Sequence, residues 1–537
     1  MKAHIHSIEI TSDIDGTIII KGCNYPKLLA NKSPVLVAQN IINSIFGVVG
    51  LFFITRFFSL AWGILSFGIG FVGLFSLIGD LGFSTATIRA HSKGEDEAAV
   101  NSTYFFVKII LGMVFASITV ISLLLWTDVL RKGFEYDSEF WVIIELIPYY
   151  FIRNLLAFPQ SSFTSKIHSA RMGIPSIVEA VIRNGAFVGF GALYYEHFIN
   201  IGQSEMVYIL PLIYVASFSA YFVMSMLLGR PWKFSRPNGQ MMKTLTAIAL
   251  PLAFAMSLGT INQNIDKVLI QFYWQAAATG AFYLNQRIAV ILLNLSVAIS
   301  IFFVPLLTRY MKSGDMKYVN DSINDFERII ILFVLPFIVI TFVLSPYILN
   351  IFNGYYKEYA LVLPLLSLTA LLTAFYQPFQ SAIIAKGMTR TVGMVSTISV
   401  TINIILDFVL IPQSFAGTTF FSLGVDGAAL ASTIAALYAA VHMMHYVRKI
   451  TGYRFRVGIL KLILPTSAET ILLELFIMIV QPYPFIDLLA ASVMALLVFY
   501  ALTLLVKETT VKEITQFLTN LNPLVFARHL NEEKKNQ

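Results

Sequence analysis

About fourteen separate stretches of this chain each run for roughly 20 mostly apolar residues, the length a helix needs to cross the hydrocarbon of a bilayer. They fall near 34–55, 60–80, 101–126, 140–162, 174–195, 206–228, 243–265, 279–305, 328–352, 358–384, 392–412, 426–446, 458–481 and 485–506. Inside lipid every backbone polar group must be satisfied within its own segment, so stretches of this length fold as helices. Composition agrees: 57% of residues are hydrophobic and 12% charged, against about 25% charged in a soluble domain. A soluble enzyme, a disordered tail and a nucleic-acid reader are excluded, and an all-α polytopic membrane protein remains. The net charge of +7 would suggest nucleic acid in a soluble chain; here it reads as basic loops on one side of a membrane. Cys23 stands alone, which excludes an internal disulfide and a cysteine metal site. The first 30 residues hold no continuous apolar core of a signal peptide, so the first span is expected to serve as targeting signal too.

Loop charges set the expected orientation. With the N-terminus inside, the inward segments carry most of the basic residues, from Arg89 and Lys93 through Arg454 and Arg456, together with both tails. The outward loops carry only Arg56, Arg131, Lys132, Lys267 and Lys357. Basic residues stay cytoplasmic, so both termini are expected there, in a multi-pass protein of the plasma (cytoplasmic) membrane. The divisions that follow are a cytoplasmic N-tail 1–33, spans one to six over 34–237, spans seven to twelve over 238–450, spans thirteen and fourteen over 451–506, and a cytoplasmic tail 507–537. In that tail Val511, Ile514, Phe517, Leu518 and Leu521 recur at helical spacing, which reads as an amphipathic helix on the membrane surface.

Two segments look alike. Residues 51–68 and 268–285 each end one apolar helix, pass an interfacial turn and open the next helix at a glycine, Gly63 and Gly280. The offset of 217 residues holds six spans, so the repeat is expected to be parallel, with two six-helix halves.

Three segments carry a family resemblance: SLIGDLGFSTATIRAHSKGEDEAAVNSTYFFVK (Ser76 to Lys108), NIDKVLIQFYWQAAATGAFYLNQRI (Asn264 to Ile288), and NIILDFVLIPQSF with LGVDGAALASTIA (Asn403 to Ala435). Together they resemble the polysaccharide-transport (Wzx-type) flippases of the multidrug/oligosaccharidyl-lipid/polysaccharide superfamily. The likeness covers about 34–506 and departs in an inserted SFAGTTFFSL before Gly424 and in the long N-tail. It implies two six-helix lobes around a central cavity, two extra C-terminal helices and alternating access. It implies a polyprenyl-linked oligosaccharide as substrate, membrane lipids around it, and glycan polymerase or ligase proteins as candidate partners. The small residues of these motifs, among them Gly79, Gly82, Gly424 and Gly427, also suit close helix packing in lipid.

Ionisable groups within spans are costly in lipid and face a bundle interior or wet cavity. Arg153, Arg183 and Arg287 lie deep, roughly 14–20 Å along their helices, beyond easy snorkelling. Lys108 lies in span three; Glu145, Tyr149 and Arg153 share one face of span four; Glu179 and Arg183 are one turn apart in span five. A lipid pyrophosphate is strongly anionic and arginine grips phosphate bidentately. The substrate-binding candidates are therefore Arg153, Arg183, Arg287 and Lys108, with Gln286, Gln377 and Asn403 for sugar hydroxyls. Glu179, Asp266 and Asp407 are candidates for ion coupling. Each has a plainer alternative: Glu179 and Arg183 as a self-neutralising pair, Arg153 in an interhelical salt bridge, Asp266 and Lys267 as interfacial charges.

No Walker A loop, HExxH motif or Cys/His cluster occurs, so no ATPase, metal centre or cofactor is expected, and no nucleic acid. Two other functions compete with a flippase. A multidrug or small-cation exporter of the same superfamily usually has twelve spans and an acidic cavity. A membrane-embedded polysaccharide polymerase would present a large external loop.

Overall fold

The computed structural model describes residues 9–12, 18–21, 25–129, 134–166, 168–300, 307, 310–311, 314–415, 418–419, 421–454, 461–480 and 485–506. Its helices, in chain order, are α1 (Tyr25–Phe57), α2 (Ser59–Phe75), α3 (Phe83–Ser92), α4 (Glu97–Leu124), α5 (Ser138–Ser165), α6 (Ser169–Tyr195), α7 (Gln203–Leu228), α8 (Gly239–Ser300), α9 (Met316–Phe352), α10 (Val362–Ala385), α11 (Thr389–Leu410), α12 (Gly424–Thr451), α13 (Ile463–Val480) and α14 (Phe485–Leu505). Among the described residues, 12 helices are long and apolar enough to cross a membrane. That figure counts α8 once and leaves out α1, whose apolar part is Ile42–Phe57, so the fourteen spans expected are an approximate number. The protein is an all-α multi-pass membrane protein.

Several helices outrun the spans read from hydropathy. The expected loop 81–100 contains α3, and α9 begins at Met316 inside the expected loop 306–327. Hydropathy marks the part of a helix that sits in hydrocarbon, whereas the hydrogen-bond ladder runs on into the polar interface. The inserted SFAGTTFFSL forms a hairpin of two short strands, Ser414–Phe415 and Thr418–Thr419, and Glu9–Ser12 pairs with Ile18–Lys21 in the N-tail. The expected C-terminal surface helix, and Arg131, Lys132, Arg309, Lys312 and Arg456, lie outside the described residues.

The element that organises the molecule is α8. It turns back on itself at Gln275, where φ is +72°. In a straight helix Lys267 and Gln286 would stand about 28 Å apart; here Lys267 Nζ donates to Gln286 Oε1 at 3.4 Å. Thr279 likewise donates to Gln271 Oε1 at 3.0 Å. A non-glycine residue at this φ and extended ψ is strained, at about 1–3 kcal/mol. The turn is held from outside: Glu135, ahead of α5, accepts the Ala276 N–H at 3.0 Å.

At the position 217 residues earlier, Phe58, the chain likewise passes from one helix, α1, to the next, α2, but with a different backbone geometry, φ −132° and ψ +50°. The two glycines that open the second helices meet in space. A Cβ on Gly280 would lie 2.8 Å from Gly63 Cα, and one on Gly63 would lie 2.4 Å from the Ala276 carbonyl oxygen. Trp62 Nε1 donates to the Gly280 carbonyl at 3.2 Å. Equivalent residues touch each other only near a pseudo-twofold axis, so α2 and α8 join the halves along it. On one side α1 packs on α6, and α7 on α5 and α6; on the other α12 packs on α10 and α11, with α13 and α14 attached through α9.

This contact yields a stability test. Gly280→Val is expected to force α2 and α8 apart, at a cost of about 1–3 kcal/mol for overpacking. Gly189→Ala is the control, because nothing lies within 4 Å of a Cβ there. Thermal unfolding of the purified protein should show a lowered melting temperature for the first variant alone. Equal melting temperatures would mean the two glycines are not in contact.

Candidate functional site

Beneath the Gly63–Gly280 contact lies a cavity of about 250 Å³ lined by Asn40, Asn43, Trp62, Arg183, Tyr214 and Arg287, among others. It draws on α1, α2, α6, α7 and the second arm of α8, and none of its lining residues is acidic. Arg183 donates through Nε to the Glu179 carboxylate at 2.6 Å and through NH1 to Asn184 Oδ1 at 3.2 Å. Its guanidinium lies 5.4 Å from the Tyr214 ring centroid. Arg287 donates to the Tyr283 hydroxyl, 4.7 Å from the centroid of the same ring, and makes no ion pair among the described residues. Tyr283 in turn stacks on Trp62 at 5.2 Å and 12°. Asn43 donates to Ser176 Oγ at 3.0 Å, tying α1 to α6 as an interhelical hydrogen bond.

The structure divides the cationic candidates. Arg183 and Arg287 share this cavity. Arg153 opens onto a second one of about 170 Å³, together with Asp80, Lys108, Tyr150 and Asn154. Arg153 hydrogen-bonds Tyr149, and Tyr149 lies within electrostatic reach of all three arginines. The interhelical salt bridge entertained for Arg153 is not among the ion pairs of the described residues.

Lys108 is fully buried and its three donors are taken: Asp80 at 2.5 Å, the Gly79 carbonyl at 3.0 Å and Asn154 Oδ1 at 3.0 Å. That arrangement holds a turn in place and leaves no donor for a ligand. Asp80 is the residue that sequence reasoning missed. Its carboxylate also accepts the Ser84 N–H at 3.2 Å and the Ser84 hydroxyl, capping α3. The Asp-Leu-Gly motif is thereby explained: Leu81 and Gly82 take φ of +44° and +82°, and a Cβ on Gly82 would meet the Ala249 carbonyl at 2.8 Å. An aspartate before a glycine turn, upstream of a lysine buried in a span, was the available signal.

The other half holds a carboxylate pair. Asn403 Nδ2 donates to Asp407 Oδ2 at 2.8 Å, and Asp266 lies within electrostatic reach of both side chains. Relative exposures are 2%, 0% and 1%, so the interfacial reading of Asp266 is corrected: it is interior. Lys267, counted above among outward loop charges, is equally buried, because the α8 hairpin folds it inward against the Gln263 carbonyl and Gln286. One oxygen on each of Asp266, Asp407 and Asn403 has no hydrogen-bond partner. Glu179 stands apart from this pair, bound to Arg183. A cavity of about 320 Å³ adjoins the carboxylates; Gln286 and Asn403 line it, whereas Tyr376 takes the wall position beside Gln377, which does not.

Solved structures share the fold. A lipid II flippase MurJ in an inward closed conformation superposes with a TM-score of 0.66 at 16% identity, over 87% of this chain and 98% of the other. An inward-facing multidrug resistance MATE family transporter of the MOP superfamily gives 0.62 at 12% identity, over 78% and 98%. A MOP superfamily transporter from Pyrococcus furiosus, described as having a binding pocket of reverse polarity, gives 0.52 at 12%, over 79% and 96%. At these identities the likeness is one of fold. No curated protein matches the chain in sequence. The turns at Phe58 and Gln275, the Asp-Leu-Gly turn and the arginine cavity all fall within residues 29–311, where the sequence matches a family of polysaccharide biosynthesis proteins. Those residues make up more than half of the 537, and the chain belongs to the polysaccharide biosynthesis protein family.

Proposed function

We propose that this protein is a flippase that carries a polyprenyl-(pyro)phosphate-linked oligosaccharide from the cytoplasmic to the outer leaflet by alternating access. The observation that carries the reading is the convergence of Arg183 and Arg287, from the two halves of the repeat, on one cavity without an acidic lining residue. An anion drawn between them would be gripped from both sides by charge-assisted hydrogen bonds, and each guanidinium presents a planar fork matched to phosphate. Arg183 commits Nε to Glu179 and an NH1 hydrogen to Asn184, and its remaining N–H groups are left for a ligand. The prenyl tail stays in lipid. The two bodies that rock are the N-lobe (34–237) and the C-lobe (238–450), with 451–506 attached to the second. The MurJ structure is named for flipping lipid II, which supports a lipid-linked substrate here.

The Asp266–Asp407–Asn403 cluster is the proposed coupling site. Two carboxylates held close inside a bundle repel each other, and the repulsion is relieved when one takes up a proton or a cation binds between them. The donors are all oxygen, which suits a hard cation or a proton rather than a transition metal. Loading and unloading that site changes the repulsion between α8 and α11, and so biases which end of the cavity is open.

The test is reconstitution of the purified protein into vesicles with a labelled polyprenyl-pyrophosphate glycan, following loss of the label from one leaflet. Flipping supports the reading. The same vesicles, loaded with a lipophilic cation and showing export of that instead, would favour a multidrug exporter. The carboxylate pair and the MATE fold are the observations behind that second reading.

Orientation has its own test. With both termini in the cytoplasm, a cysteine in place of Phe134 in a Cys23-free background should react with an impermeant thiol reagent from outside, and one in place of Glu95 should not. The reverse pattern would invert the direction of transport proposed.

A further inference from the structure

Resting on the flippase reading, we propose that the substrate lies across two chemically different compartments. The pyrophosphate sits in the arginine cavity. The first sugars sit in the polar cavity of the other half, which has no basic residue in its lining and selects neutral or amino-sugar glycans over acidic ones.

The second arm of α8 is the wall between the two. Arg287 and Ile291 face the arginine cavity, Gln286, Ala289 and Leu293 face the other, and Val290 borders both. Neighbouring residues on a helix point about 100° apart, so adjacent positions on one arm serve opposite sides. In a polyprenyl-pyrophosphate glycan the first sugar is bonded directly to a phosphate oxygen. A phosphate held by Arg287 therefore places that sugar next to Gln286.

The second compartment suits a sugar. Its volume of about 320 Å³ falls at the lower end of the ~300–1,000 Å³ typical of small-molecule sites. Its polar wall is amide and hydroxyl: Asn262, Gln286, Thr369, Thr373, Ser396 and Asn403. Amides and hydroxyls both donate and accept, as sugar hydroxyls do. Asn262 Oδ1 and Asn403 Oδ1 are buried acceptors without a donor, a cost relieved when a ligand hydroxyl reaches them. Tyr376 and Leu366 offer apolar faces to the carbon side of a pyranose ring.

Charge gives the selectivity. No lysine or arginine lines this compartment, and Asp266 is its one ionisable carboxyl. Lys267 lies behind this wall, held by the Gln263 carbonyl and Gln286, so a uronic acid would bring a second carboxylate beside Asp266 with no cation on the lining to meet it. An amino sugar would bring its ammonium to the same place. The arginine cavity has the opposite polarity, so the two compartments sort the two ends of one molecule.

Binding of three probes to the purified full-length protein tests this: a polyprenyl pyrophosphate without sugar, the same carrier bearing an N-acetylhexosamine, and the same carrier bearing a hexuronate. The neutral glycan is expected to bind about tenfold tighter than the bare carrier, equivalent to about 1.4 kcal/mol. The uronate should bind no tighter than the bare carrier. Ser396→Lys places a cation in the compartment and is expected to reverse the preference in favour of the uronate. A wild-type protein that binds bare carrier and neutral glycan equally, or the uronate tightest, overturns the sugar compartment while leaving the pyrophosphate site standing. A protein that binds none of the three overturns the flippase reading and this inference with it.

Discussion

Replacing Arg287 by alanine is expected to weaken binding of a polyprenyl pyrophosphate by about 10- to 100-fold, the loss of one or two hydrogen bonds to a charged group. Flipping should fall at least as far. The protein should still fold, because Arg287 has no carboxylate partner among the described residues to be left stranded and gives up one bond, to the Tyr283 hydroxyl. Arg287→Lys should rescue poorly, since the charge survives and the fork does not. Arg183→Ala differs. It strands Glu179, which is 6% exposed, and breaking a buried pair from one side costs about 3–5 kcal/mol. Protein yield should therefore drop in the single variant and recover in Glu179→Ala with Arg183→Ala. Surface glycan, protein level and lipid binding read together separate the two roles. Full export from both single arginine variants would sink the anionic cavity.

Asp407→Asn is expected to cut gradient-driven flipping roughly tenfold, within the ~5- to 150-fold range of coupling between sites, and to leave a slow rate indifferent to the gradient. The amide keeps the hydrogen bonding around Asn403 but removes the charge whose repulsion of Asp266 drives the cycle. Asp266→Asn should behave alike, and the double variant should be no worse than either single one, because the two carboxyls act as one site. Vesicles carrying a sodium gradient or a proton gradient, imposed separately, identify the ion. A variant that retains the full wild-type response to the effective gradient would remove the pair from the mechanism.

Much of the fold was legible before any coordinates. Apolar runs of bilayer length can only be helices, because lipid offers no partner to a stray backbone group. The two glycines picked out by the sequence likeness, Gly63 and Gly280, are the ones that meet in space. The intramembrane charges announced themselves by their cost. Asp266, Asn403 and Asp407 were all named from sequence, the last two on one helical face.

The primary structure thus determined that the chain is a bundle of membrane-length helices and named most of the charged groups that the fold buries. Their pairing came from the three-dimensional arrangement. Asp266 and Asp407 stand 141 positions apart in sequence and Lys108 and Asp80 stand 28 apart; no periodicity within one helix reports contacts between helices. The hairpin at Gln275 turned Lys267 from an apparent loop charge into an interior one. It also put Arg287 and Gln286 on opposite sides of one wall. Helical period fixes which residues share a face. What each face meets depends on the crossing of distant helices, and that is set by close packing of small residues such as Gly63 and Gly280 rather than by any local pattern.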